Sequence, residues 1–447
     1  MARLPLLLLV VVILGSAGLH AHRALNPTSS YQSADERSYG KLAYALAEDR
    51  QYGPRWTRMK DPLHWPPGAP VLFAAAHLVV GDEGDREDYD LRGAYAAQAA
   101  VSMGTLLAAL ALAWALAGIW AGVAAAALVG FYPPLILATG EQISEPFGAF
   151  LLTSAFAVFA WSARRGWWWG HLVAGLLLGA TVLTRADLVL APAIVAALAF
   201  LWLWRGRRDV RRGVITAGAL LVGAGLLVLP WSLYASDRAG SFVPVTKGSA
   251  APLFVGTYLP GGGHTVGMKF ALADEVKAFR PKLEPVPPFE IPASDYMDLI
   301  ASRHPELPRE EAISKQARAN LREYALGDPL DYLVMMGDKV QRMWTRYARG
   351  GARHTSWWIR APHVALVLLA FAGIVLAIWR IRSVPLMVVL AVCLYSTALH
   401  TLVVSQGRYN LPLMPGLLAA GAAAWFLLLG ARRSAPPPPR AGSAPLR

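Results

Sequence analysis

A succession of apolar runs, each about as long as a bilayer's hydrocarbon core is thick, constrains this chain more than anything else in it. The runs lie at 3–20, 93–114, 117–137, 146–163, 168–184, 186–204, 213–231, 363–379, 384–404 and 411–430. A helix rising about 1.5 Å per residue needs roughly 17–25 such residues to cross. Backbone groups in lipid must be satisfied within the protein, which leaves only helices or closed barrels as spanning structures, and run length selects helices. The expectation is an all-α polytopic membrane protein of about ten transmembrane helices. Only 16% of the 447 residues are charged, against about 25% in soluble domains, which excludes a soluble globular enzyme.

The net charge of +13 does not point to nucleic acid. The arginines cluster between apolar runs: Arg164 and Arg165; Arg205, Arg207, Arg208, Arg211 and Arg212; Arg380 and Arg382; Arg432 and Arg433. With the N-terminus inside, all four groups fall on the cytoplasmic side, and the acidic linker "GDEGDREDYDLR" (81–92) falls outside. Counting "GAPVLFAAAHLVV" (68–80) as a span would invert every later loop. It is also too short to cross, so it reads as a half-buried helix on the outer side. The opening "MARLPLLLLVVVILGSAGLHAH" reads as a cleaved signal peptide or as an uncleaved first span, and the loop that follows favours a span as its anchor. The single cysteine, Cys393, allows no internal disulfide. The expected divisions are an N-terminal membrane module over 1–231 with an outer loop at 21–92, an extracytoplasmic insert over 232–361, C-terminal spans over 362–431 and a Pro-rich tail over 432–447.

Polar residues suited to chemistry gather in the outer pieces. "SADERSYGKLAYALAEDR" (33–50) starts an amphipathic helix whose apolar face, Tyr39, Leu42, Ala43 and Leu46, suits a helix lying along the membrane. Asp35 and Glu36 sit in its first turn. They fit a dipole-stabilised helix start, and equally a general base taking a proton from an acceptor hydroxyl or amine. Successive helix positions point about 100° apart, so one of the two can face a given atom, and Asp35 is favoured. Arg58, Lys60 and His64 belong to a basic, aromatic-interleaved loop (50–70), either a lipid-attracted surface or a phosphate-binding one. Its "WPPG" launches the 68–80 helix. Glu141 and Glu145 lie one turn apart in "ATGEQISEPFGAF" (138–150), at the ends of two spans, where an ionisable group is costly and so a site candidate. In "LTRAD" (183–187), Arg185 either pairs with Asp187 or binds an anion. In "SQGRYNLPLMP" (405–415), Arg408 and Tyr409 are interface anchors or a phosphate-binding pair, since the guanidinium fork matches phosphate. "EEAISKQARANLREYALGDPLDYLVMMGDKVQRMWTRY" (310–347) reads as two amphipathic helices broken at Gly327–Pro329. His264, His304 and His354 have no metal-binding spacing, and no metal is expected.

The order of these motifs resembles that of the GT-C membrane glycosyltransferases, including the protein O-mannosyltransferases and the aminoarabinose transferases of lipid A (glycosyltransferase families 39 and 83). The resemblance covers residues 30 to 415 through "SADERSYGKLAYALA", "HWPPGAPVLFA", "EQISEPFGAFLL", "LTRADLVL", "LPWSLYAS", "FVPVTKGSAAPLFVG" and "RYNLPLMP". It implies a GT-C-like fold with outer juxtamembrane helices in the cell membrane. It also implies a polyprenyl-phosphate sugar as donor, with no further cofactor, and inverting transfer to a glycan, lipid or protein acceptor outside. Asp35 matches the catalytic base of that family, Glu36 its partner and Glu145 the second acidic position. Where aminoarabinose transferases carry a lysine before the two prolines, this chain has Trp65. Arg58, Lys60, Arg185 and Arg408 are then candidates for the departing phosphate. The alternatives are a transporter, which would show charges at mid-membrane and repeated halves, and a non-glycosyl lipid-linked transferase.

Overall fold

A computed structural model describes residues 3–27, 34–54, 59, 61–81, 91–281, 286–346 and 357–433. The described residues are mostly helical and contain no strand. In chain order the helices are α1 (Arg3–Leu25), α2 (Ala34–Glu48), α3 (Gly68–Val80), α4 (Arg92–Ala117), α5 (Ile119–Gly130), α6 (Pro133–Ala138), α7 (Glu145–Arg165), α8 (Trp168–Thr184), α9 (Ala191–Arg207) and α10 (Val210–Ala239). They continue with α11 (Ala250–Thr257), α12 (Thr265–Ala271), α13 (Ala273–Phe279), α14 (Ala293–Ser302), α15 (Arg309–Gly327), α16 (Pro329–Thr345), α17 (Trp357–Ile381), α18 (Val384–Leu402) and α19 (Met414–Arg433). Seven segments of the described residues are helical, long and apolar enough to cross a membrane, and α5, α8 and α19 add shorter apolar helices. This is a multi-pass membrane protein.

The expected continuous span over 117–137 is broken into α5 and α6. Pro133 and Pro134 lack the N–H groups that would extend α5, and the chain restarts with the two prolines in the first turn of α6. α10 instead runs through Pro230 to Ala239. The 68–80 segment is a helix laid across one end of the bundle. A Cβ on Gly68 would stand 2.9 Å from the Thr184 Cα at the end of α8, and one on Gly93 would stand 2.8 Å from the Ala76 carbonyl carbon. Both ends of α3 thus meet span ends on the same side, and these two glycines let the backbones approach.

The apolar face of α2 does not lie on lipid, as its amphipathic pattern suggested. Tyr39 and Ala43 pack on Ala69 and Phe73 of α3, and Leu42 packs with Ala235 of α10 and Val243. Protein covers that face, so α2 is fixed against the bundle. α11 to α15 form a satellite core around Phe254, Met268, Tyr296 and Ile313, joined by Val404 after α18. α15 and α16 break at Asp328, where Pro329 opens the next helix.

α16 ties this satellite to the bundle through Lys339, 1% exposed, whose Nζ donates to the Gly256 carbonyl at 3.0 Å and to the Thr401 carbonyl. A neutral amine has two N–H groups to match two carbonyls. Burial, with the Arg342 charge adding to it, pushes the ammonium pKa down to about 7. An unfolded lysine titrates near 10.4, so between about pH 7 and 10 the unfolded chain binds more protons and stability rises with pH. The unfolding temperature is expected to rise by a few degrees between pH 6.5 and 9, and Lys339→Met to flatten that rise; an equal slope in both proteins would contradict it.

Candidate active site

Five element ends meet at the end of the bundle covered by α2 and α3. Asp35 lies in the first turn of α2, and Glu145 opens α7 ahead of Pro146, where a carboxylate is favoured by the backbone dipole. Arg185 follows α8 directly, with Asp187 in the 3₁₀ turn at 186–188. His400 ends α18, and Arg408 and Tyr409 sit in the 3₁₀ turn before α19.

These side chains form one alternating chain of charge. The Asp35 carboxylate accepts a close hydrogen bond from Arg408 Nη2. Arg408 Nε lies 3.6 Å from Glu145 Oε1 and donates to Gln406 Oε1 at 3.2 Å. Glu145 Oε1 is 3.2 Å from Arg185 Nη1. Arg185 grips Asp187 with two parallel bonds of 3.0 and 3.1 Å, the bidentate geometry a guanidinium favours. Asp187 Oδ2 is 3.2 Å from His400 Nε2, and its backbone carbonyl accepts from Tyr395 at 2.7 Å. The Tyr409 ring lies 5.6 Å from the Arg185 guanidinium carbon and 5.9 Å from that of Arg408, and stacks on His400 at 4.5 Å. Without His400 the cluster has three carboxylates and two guanidiniums.

Exposure separates the acids. The Asp35 side chain is 37% exposed, Asp187 20% and Glu145 3%. Of the three acids, Asp35 combines a cationic partner with the largest exposed share. Burial by itself would raise its carboxyl pKa. The Arg408 charge and hydrogen bond, helped by His64 and a hydrogen bond from Trp65, outweigh burial and hold it below the usual carboxylate value. Burial likewise works against the Arg408 charge, and Asp35 and Glu145 outweigh it, raising that pKa well above the ordinary one. Tyr39, one turn beyond Asp35, has its phenol pushed up by burial and by the Asp35 and Glu145 charges.

Asp35, Glu145, Arg185, Arg408 and Tyr409 therefore come together from four distant stretches of sequence. Glu36 is buried in the same turn as Asp35. His64 packs edge-on against Trp65 at 4.7 Å and beneath Gly248, where a Cβ would meet its Nδ1 at 2.3 Å. Glu141 lies in the loop before α7 and accepts at its backbone carbonyl from Gln98 at 2.9 Å. Arg58 and Lys60 lie outside the described residues. Sequence reasoning saw Asp187 only as a partner for Arg185, and it missed His400 and the placement of Tyr39. The signal for His400 was a titratable side chain in the last turn of an otherwise apolar span. No group of three or more His, Cys, Asp or Glu among the described residues is arranged to hold a metal ion.

No family model matches the chain. Among solved structures, the archaeal oligosaccharyltransferase AglB from Archaeoglobus fulgidus, in complex with an inhibitory peptide and a dolichol-phosphate, aligns over 96% of this chain and 50% of its own at TM-score 0.57 and 16% identity. The apo form of the oligosaccharyltransferase from the same organism aligns over 96% and 51% at TM-score 0.56 and 17% identity. The chain spans about half the length of these proteins. ArnT from Cupriavidus metallidurans bound to undecaprenyl phosphate aligns over 95% and 78% at 16% identity, with a TM-score of 0.38 that bears no weight. At these identities the likeness shows the fold, which is of the GT-C type.

Proposed function

We propose that this chain, built on a GT-C-type membrane fold, transfers a sugar from a polyprenyl-phosphate donor to an acceptor at the outer face of the cell membrane, with inversion and with Asp35 as general base. The observation that carries this reading is the half-buried Asp35 carboxylate held by Arg408 at the bundle end where α2, α7, α8, α18 and the turn before α19 converge. The dolichol-phosphate in the AglB complex lends support, as a lipid phosphate held on a similar fold. The positive-inside pattern supports a cytoplasmic arginine-rich end, with this end outside.

In the proposed reaction the acceptor O–H or N–H gives its proton to Asp35 as its heteroatom bonds to the anomeric carbon. The bond from that carbon to the phosphate oxygen breaks on the opposite face, and its electron pair leaves with polyprenyl phosphate. One displacement inverts the anomeric centre. Arg408 links the two halves of the step. Paired with Arg408, Asp35 has a depressed pKa and is a weak base. When donor phosphate takes the guanidinium, the carboxylate loses its partner and becomes more basic just as the leaving group is stabilised. Arg185, bracketed by Glu145 and Asp187, keeps Glu145 and Tyr409 in place. Glu36, Glu141, His64, Arg58 and Lys60 form the surroundings of the donor head group in this reading. In this reading the described part of the insert over 232–361 serves the acceptor side of the module at 1–231, beside the spans at 362–431.

Incubating the purified full-length protein with a labelled polyprenyl-phosphate sugar and an envelope extract tests this. Release of polyprenyl phosphate and a product of inverted anomeric configuration are expected. A retained configuration would overturn the single-displacement mechanism.

A further inference from the structure

A cavity lies at the opposite end of the same helices. A cavity of about 700 Å³ opens between the C-terminal ends of α4, α7, α9, α17 and α19 and the starts of α8, α10 and α18. α7 carries Glu145 at one end and the cavity wall near Arg164 at the other, about 30 Å apart at 1.5 Å per residue. The cavity is therefore separate from the Asp35 cluster.

Its lining carries Arg164, Arg212 and Arg382 and has no Asp or Glu. Among the described residues none of these three guanidiniums pairs with a carboxylate; Arg164 Nη1 donates to the Ala115 carbonyl at 3.1 Å. The Arg212 guanidinium reaches Gly166, where a Cβ would come 2.5 Å from its Nη2. Deeper in, His171 is 6% exposed and its Nδ1 has no hydrogen-bond partner. A buried, unsatisfied ring nitrogen is costly unless a ligand or water meets it. Apart from Ser162, Thr216 and Ser383 the rest of the wall is apolar, and it reaches the bundle surface, where Trp114 is 43% exposed.

We propose that this cavity binds a phosphate anion, carried on the head group of an anionic phospholipid of the cytoplasmic leaflet. Three guanidiniums that no carboxylate among the described residues pairs with suit a phosphate, which each can grip with two bonds. The apolar wall beside Trp114 suits the start of an acyl chain, and anionic lipid is concentrated at the cytoplasmic surface. His171 gives the phosphate oxygens a contact that bulk membrane attraction does not need. The site makes a specific lipid part of the bundle's arginine-rich end and leaves the reaction at the other end to the Asp35 cluster.

The test is native mass spectrometry of the full chain, delipidated in detergent and titrated with phosphatidylglycerol or phosphatidylcholine. Phosphatidylglycerol is expected to be retained at least tenfold better. The double variant Arg212→Gln, Arg382→Gln is expected to lose that preference. His171→Phe, which keeps the ring packing on Phe159 at 5.5 Å, is expected to weaken retention with helix content unchanged. If millimolar inorganic phosphate raises the unfolding temperature of the wild type but not of the double variant, and displaces the lipid, the occupant is the free anion at the same arginines. Equal retention of both lipids, or wild-type retention of phosphatidylglycerol by the double variant with no phosphate effect, would overturn the proposal.

Discussion

Asp35→Asn is expected to give a folded protein that still binds donor and no longer turns it over, with a loss of roughly 10²–10⁴-fold in transfer, the usual span for removing a general base. The substitution keeps the shape of the side chain and removes only its ability to take a proton. Folding should survive because the side chain is 37% exposed and Arg408 retains Glu145 at 3.6 Å. Glu36→Gln is the matched control. Glu36 is 9% exposed, so it meets an acceptor only if α2 moves, and a much smaller loss is expected. Steady-state turnover with saturating donor checks both; full activity in Asp35→Asn, or equal losses in the two variants, would remove Asp35 from the role of base.

Arg408→Ala is expected to combine two losses. Donor affinity should fall at least tenfold, because the guanidinium is the cation on the open side of the cluster and phosphate is its natural bidentate partner. Stability should fall by roughly 1–3 kcal/mol, less than for a fully buried pair, since 23% of the Arg408 side chain is exposed and Glu145 keeps Arg185. Arg408→Lys should recover most of the stability and little of the affinity, because a point charge replaces a planar fork. The pairing also sets a pH signature. Asp35 has a folded pKa held below its unfolded value, near 3.9. The stabilisation is therefore complete above about pH 4 and is lost as pH falls through the depressed folded value. Acid unfolding curves for wild type and Arg408→Ala should converge at low pH and separate above it. Unchanged donor affinity in Arg408→Ala would reduce Arg408 to a structural anchor.

The fold was legible because lipid leaves few choices. Run length marked most of the membrane helices, the short 68–80 run marked α3, and Pro329 marked the α15–α16 break, while α11 to α14 carried no such signal. The split of 117–137 was also written there, as Pro133 and Pro134, but the hydropathy of the run masked it. The cluster was legible in part. Asp35, Glu145, Arg185 and Arg408 stood out as charges at the ends of apolar runs. Which acid meets which arginine was not readable, because Asp35 and Arg408 are 373 residues apart. The sequence left Arg185 open between pairing with Asp187 and binding an anion; Asp187 does pair with it, and Glu145 holds it from the other side. His400 escaped notice because its neighbours read as membrane, and α2 looked like a lipid-facing helix because its cover comes from α3 and α10.

Donor binding tests the central claim most directly. Native mass spectrometry of the purified full-length chain with a panel of polyprenyl-phosphate sugars should show a one-to-one complex with at least one of them. That complex should convert on standing with acceptor to bound polyprenyl phosphate in the wild type and persist unchanged in Asp35→Asn. A chain that binds no polyprenyl phosphate, with or without a sugar, would contradict the glycosyltransferase account at its first step.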